Sequence, residues 1–123
     1  MKLIAITLIT LSSFLKTTAD INLLPGKWKY NDIYEKEKLD EKSMKMLTML
    51  FSDMKIEFKK DQTYSAILMG KEETGTWKND SKNPNLIELK NQKGQENKIE
   101  VIELTNEKLI FGLGNGKFIM VKE

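Results

Sequence analysis

Cysteine and histidine are absent from the chain, and all 20 of its basic residues are lysine, so arginine is absent too. Without histidine or cysteine there is no imidazole base, no thiol nucleophile and no ordinary zinc site. Carboxylate, lysine, phenol and hydroxyl chemistry remain. The 18 acidic residues are dispersed along the chain and read as solvated charge, not as an acid and base pair. The expectation is a protein that is not an enzyme and carries no cofactor. The missing cysteine also excludes disulfide staples and a lipid-modified cysteine after an export signal, so stability has to come from the core alone. Missing arginine argues against a strongly acidic ligand, because the guanidinium fork is the side chain best shaped for carboxylate and phosphate.

At 123 residues the chain has room for one domain. Its first residues have the order of a secretory signal peptide. Met1 and Lys2 make a basic start, Leu3 to Leu15 form an apolar run softened by threonine and serine, and Thr17-Thr18-Ala19 offers small residues before Asp20. A membrane anchor is the bland alternative, but a span needs roughly 20 apolar residues and this run is shorter. The expected division is therefore a leader over 1–19, cleaved after Ala19, and a mature domain over 20–123. That places the domain outside the cytoplasm, periplasmic or secreted, with no membrane anchor after cleavage. Lys2 and Lys16 belong to the leader, so the mature part carries 18 lysines against 18 acids. The sequence pI of 8.7 overstates its basicity, and a neutral domain lacks the basic face that nucleic-acid binding requires. A monomer is expected.

After Asp20 the apolar residues recur mostly with period two, interrupted at short intervals by turn residues, as in an antiparallel β-meander. Eight strands can be counted. The first runs from about Lys27 to Tyr34, with Trp28, Tyr30 and Tyr34 on one face, and the second from Lys55 to Lys59. Thr63 to Met69 is the third, Thr74 to Lys78 the fourth, with Gly75 and Trp77 facing inward, and Leu86 to Leu89 the fifth. Ile99 to Leu104 follows as the sixth, Leu109 to Leu113 as the seventh and Phe118 to Val121 as the eighth. Asn79 to Asn85 is the longest turn cluster, and pairing resumes only after Pro84, which has no amide to donate. Asn91 to Asn97 reads as a polar loop, Gly114-Asn115-Gly116 as a tight turn, and Gly70-Lys71-Glu72-Glu73 as a charged hairpin tip.

One segment breaks the strand period. From about Asp40 to Asp53, at about 100° per residue, Met44, Met46, Leu47, Leu50 and Phe51 gather on one arc that Met54 extends, with Met49 opposite. This predicts an amphipathic helix with Asp40 as its N-cap and Glu41 suited to the positive end of the dipole.

Gly26-Lys27-Trp28 opens the first strand. Phe58-Lys59-Lys60-Asp61-Gln62-Thr63-Tyr64 forms the second hairpin, Gly75-Thr76-Trp77-Lys78 the fourth strand, and Ile102-Glu103-Leu104-Thr105 leads into Leu109. In this order and spacing the mature chain resembles the bacterial lipocalin-like domain family. The resemblance implies an all-β fold, an up-and-down antiparallel barrel of about eight strands whose closed sheet leaves no edge exposed, here with one helix between the first two strands. Larger lipocalins pack the first-strand tryptophan against an arginine near the end of the barrel. This chain has none, which leaves Lys117 or Lys122 to take its place.

Two readings of function stay open. An eight-stranded barrel is just wide enough to be filled by side chains or to hold one small ligand. Trp28, Tyr30, Phe58, Tyr64, Trp77, Phe111 and Phe118 therefore either fill the core or line a pocket for a small apolar or amphipathic molecule. The alternative to a binder is a filled structural or protein-interaction module. A closed barrel is entered only at its ends, and a helix joined by loops is the element able to uncover one. The candidate site is therefore the helix-covered mouth, with Tyr30, Met46, Leu50, Met54, Tyr64 and Trp77.

Overall fold

A computed structural model describes residues 20–123. The expected leader and its cleavage point lie outside the described residues. Eight strands run β1 (Gly26–Ile33), β2 (Lys55–Phe58), β3 (Thr63–Leu68), β4 (Lys71–Asn79), β5 (Leu86–Asn91), β6 (Glu96–Leu104), β7 (Lys108–Leu113) and β8 (Gly116–Lys122), and a helix, α1 (Glu41–Phe51), joins β1 to β2. Each strand pairs antiparallel with the next, and β8 pairs back onto β1, so the sheet closes into an up-and-down barrel. Closure removes the edge strands on which chains of this kind aggregate. The helix begins where its cap chemistry puts it: the Asp40 carboxylate accepts from the Ser43 amide at 2.7 Å.

Strands β1, β3, β5 and β7 rise from one end, the base, toward the other, the mouth; the even strands descend. At the base the short 3-10 turn Ile21–Leu23 leads the chain across the opening. Leu24 is buried there, and the Trp28 indole donates to its carbonyl at 2.8 Å. At the mouth lie α1 and the turns at Met69-Gly70, at 92–95 and at Gly114-Asn115. Phe51 of the helix meets Phe118 with ring centroids 4.7 Å apart, and Phe118 meets Phe111 at 5.8 Å. Gly116 makes this approach feasible, because a Cβ there would stand 2.6 Å from the Phe118 ring and 3.5 Å from Leu47. Burial of each such aromatic contributes roughly 1.5–3 kcal/mol. Among the described residues no buried side-chain nitrogen or oxygen lacks a hydrogen-bond partner.

Three local expectations are corrected. Register slips between Tyr30 and Asp32, a bulge in β1 that exchanges the two faces. Ile33 instead of Tyr34 then stands opposite Phe118 and is buried. The fourth strand starts at Lys71, not Thr74, because Met69 adopts a left-handed backbone (φ 53°) before Gly70 and reverses the chain in two residues. Lys71-Glu72-Glu73 is therefore strand and not hairpin tip. Likewise β6 begins at Glu96, inside the segment expected as loop, since Asn91 accepts from the amides of Lys93 and Gln95 and tightens that turn.

Candidate functional site at the mouth of the barrel

The interior is filled from base to mouth: Trp28 and Phe58 toward the base and Phe111 and Phe118 toward the mouth are at most 1 % exposed. Half-buried apolar side chains pack on this core at both ends: Ile21 and Leu104 at the base, Leu89 beside Trp77, and, at the mouth, Tyr30, Leu68 and Leu113 from the strands with Leu47 and Phe51 descending from α1. An apolar ring thus surrounds the partly covered end of the barrel.

One polar pair stands on the inner wall beneath that ring. Tyr64 lies opposite Gly75, and Ala66, one inward position nearer the mouth, lies opposite Glu73. The Tyr64 phenol spans this step and donates to Glu73 Oε1 at 2.8 Å. Burial, and then the bond to the Glu73 carboxylate and its negative charge, hold the Tyr64 phenol well above the usual phenol range. Tyr30 is also raised, first by burial and further by the charge of Asp32, against the lowering effects of the Thr48 hydroxyl and of Lys36.

Of the six residues expected at the site, two are on the inner side and near the mouth: Tyr30 lies under α1, and Met54 is buried where the helix hands over to β2, its carbonyl accepting from the Tyr30 amide at 2.9 Å. Tyr64 is also inward but sits low on β3 opposite Phe58, with its hydroxyl reaching up to Glu73. Trp77 does not join them. Its indole donates to Lys59 O at 3.0 Å and its ring meets Phe58 edge-on at 5.8 Å, so it helps to close the base. Met46 and Leu50 turn to solvent, 52 % and 36 % exposed, with Met49 beside them at 79 %. The apolar arc of α1 is wider than the stripe that packs, which is Leu47 and Phe51. Sequence reasoning missed Glu73 and the leucine ring. Strand parity carried the signal for Glu73, two positions before Gly75 and four before Trp77 on one face.

A hollow of about 840 Å³ lies elsewhere, on the outer wall of β4, β5 and β6. Three lysines and three carboxylates line it, among them Lys78 and Glu88 at 3.6 Å. A second, of about 290 Å³, also faces outward, over β1 to β4. Open to water and balanced in charge, the larger one offers no converging set of polar groups and no exposed aromatic platform.

In sequence, the family model described as a lipocalin-like domain matches residues 24–111. No curated protein matches the chain. Among solved structures, a lipocalin-like protein from Bacteroides uniformis ATCC 8492 superposes with a TM-score of 0.57 at 17 % identity, over 82 % of this chain and 99 % of its own. An uncharacterized protein from Bacteroides eggerthii DSM 20697 gives 0.57 at 14 %, over 81 % and 99 %. At such identities the two structures speak to the fold, and it is the same one. With the model match spanning most of the barrel, from the buried Leu24 to Phe111, the chain belongs to the lipocalin-like domain family.

Proposed function

We propose that this domain acts outside the cytoplasm as a non-enzymatic binder of a small amphipathic molecule, held shallowly at the mouth and not deep in the barrel. The half-buried apolar side chains at the helix-covered end carry the reading: Leu68 and Leu113 stand at the mouth ends of β3 and β7, beside a core in which Trp28, Phe58, Phe111 and Phe118 are buried. Apolar side chains that are only partly covered gain from a ligand's apolar tail at roughly 25 cal/mol per Å² newly buried. The Tyr64–Glu73 pair supplies the few polar groups that fix orientation in such sites. The lack of histidine and cysteine supports the non-enzymatic reading, and the basic, apolar and small-residue order of 1–19 supports export.

Uptake of a neutral fluorescent naphthylamine probe by the purified exported protein tests the proposal. Saturable enhancement is expected, reduced by Leu113→Trp, which plugs the mouth, and unchanged by Leu50→Asp on the outer side of the helix. A second reading has its own support. Met46, Met49 and Leu50 give a filled barrel an exposed apolar face of the kind found at interaction surfaces. If the wild type takes up no probe, the filled interaction module replaces the binder.

A further inference from the structure

We infer that the mouth selects amphiphiles with a positively charged head group, an alkylammonium, and that Glu73 is the residue that selects them. The inference rests on the mouth being the binding site and adds the class of head group. Glu73 stands on the inner wall opposite Ala66, half-buried, at the level where the packed core gives way to the leucine ring. Among the described residues it makes no ion pair, whereas Glu88, Glu103 and Glu123 on other parts of the barrel each have a lysine within 4 Å. Among the described residues its one side-chain hydrogen-bond partner is the Tyr64 hydroxyl, a neutral donor that occupies one lone pair of one oxygen. A carboxylate offers about four such positions. A carboxylate in a partly desolvated place interacts with a nearby cation more strongly than one in open water.

The surroundings favour the same class. Leu68, the next inward position above Ala66, and Leu113 at the mouth end of β7 are placed to hold an alkyl tail while the head sits lower on β4. No arginine exists to receive an anion. Lys122, the inward lysine of β8, is committed to Trp28 at the base. The cation nearest in sequence on the inner face is Lys71, opposite Leu68 at the rim, exposed and without an ion pair among the described residues. Its long stem lets the ammonium stay in water. A ligand cation has to out-compete it, so Lys71 gives the inference a second test.

The test uses three decyl amphiphiles below their micelle concentrations, decylammonium, decyl maltoside and decyl sulfate, each displacing the neutral naphthylamine probe. The ammonium is expected to displace it at about tenfold lower concentration than the maltoside, the factor that one charge-assisted contact supplies, with the sulfate weakest. Glu73→Gln should bring the ammonium to the level of the maltoside and leave the maltoside where it was. Lys71→Ala should sharpen the preference, which keeps the inference testable if Glu73→Gln does not fold. Equal displacement by all three, or a preference untouched by both substitutions, overturns the head-group inference and leaves the mouth as an unselective apolar site. No probe uptake by the wild type overturns the site itself, and with it the inference.

Discussion

The Lys122 ammonium stands 4.4 Å from the centroid of the Trp28 ring, and its Nζ also reaches Pro25 O at 3.4 Å. The two residues are partners across the β1–β8 seam where the barrel closes. Gly26 completes the arrangement. Its φ of 146° suits glycine, and a Cβ there would lie 2.5 Å from Lys122 Nζ, so the glycine two residues before the tryptophan is the space the lysine occupies. The position that larger lipocalins give to arginine is filled here by Lys122; Lys117 instead approaches Glu35 at 3.5 Å.

Lys122→Ala is therefore expected to lower stability by on the order of 1 kcal/mol, the size of a partly desolvated cation–π contact. For a domain of about 100 residues that is a fall in Tm of roughly 4–8 °C. Lys122→Arg should hold or raise the melting temperature, since a guanidinium stacks on an indole at least as well. Equal losses for both variants would show that the contact with Trp28 is incidental to closing the barrel.

The strand order was legible because closing a small sheet demands alternation, and Trp28, Ile56 with Phe58, Tyr64, Trp77, Ile87, Phe111 and Phe118 all display it. The N-cap at Asp40 was legible for an equally local reason. What escaped was set by geometry that leaves little mark on single residues. The β1 bulge exchanged Tyr34 for Ile33, and the left-handed Met69 turned a charged triplet into strand. On the helix, periodicity identified an apolar arc but not which part of it would find the barrel. Phe51 is fixed by the ring of Phe118, on the seventh strand after it, and Met46 and Leu50 are left outside as a consequence.

Stability should fall on both sides of neutral pH. At the alkaline end the native Tyr64 phenol is raised by burial and by Glu73. The unfolded chain releases that proton first, near the ordinary value of about 10. The contribution is thus present below about pH 10 and is lost as the pH climbs toward the native value. At the acid end several aspartates are lowered: Asp32 by Lys36, Asp40 by the Ser43 amide, Asp61 by the Thr63 hydroxyl and Asp80 by the Lys82 amide. Their contributions are present above about pH 4 and vanish as the pH drops through the lowered native values. Urea midpoints measured against pH should form a plateau with two limbs. Tyr64→Phe is expected to lower the plateau by about 1 kcal/mol, the net worth of one hydrogen bond, and to flatten the alkaline limb. An unchanged alkaline limb would mean that other groups govern it.

The methionines give a graded prediction, because a chain without cysteine leaves the thioether as its most oxidisable sulfur. Met49, Met69 and Met46 are 79 %, 54 % and 52 % exposed, Met44 is half-buried, and Met54 and Met120 are at most 1 % exposed. With hydrogen peroxide the sulfur attacks one peroxide oxygen, the O–O bond breaks, water leaves, and a polar sulfoxide replaces an apolar group. Peptide mapping by mass spectrometry is expected to show oxygen added first at Met49, then at Met69 and Met46, later at Met44, and at Met54 and Met120 only under conditions that open the barrel. Because the first three side chains project into water, the β circular-dichroism spectrum should survive their conversion. Sulfoxide at Met54 or Met120 would instead place a polar group inside the core, where an unpaired one costs roughly 1–3 kcal/mol, and unfolding should accompany it. If all six oxidise together in native buffer, the barrel opens far more readily than its packing implies, and entry to the interior would not be confined to the mouth.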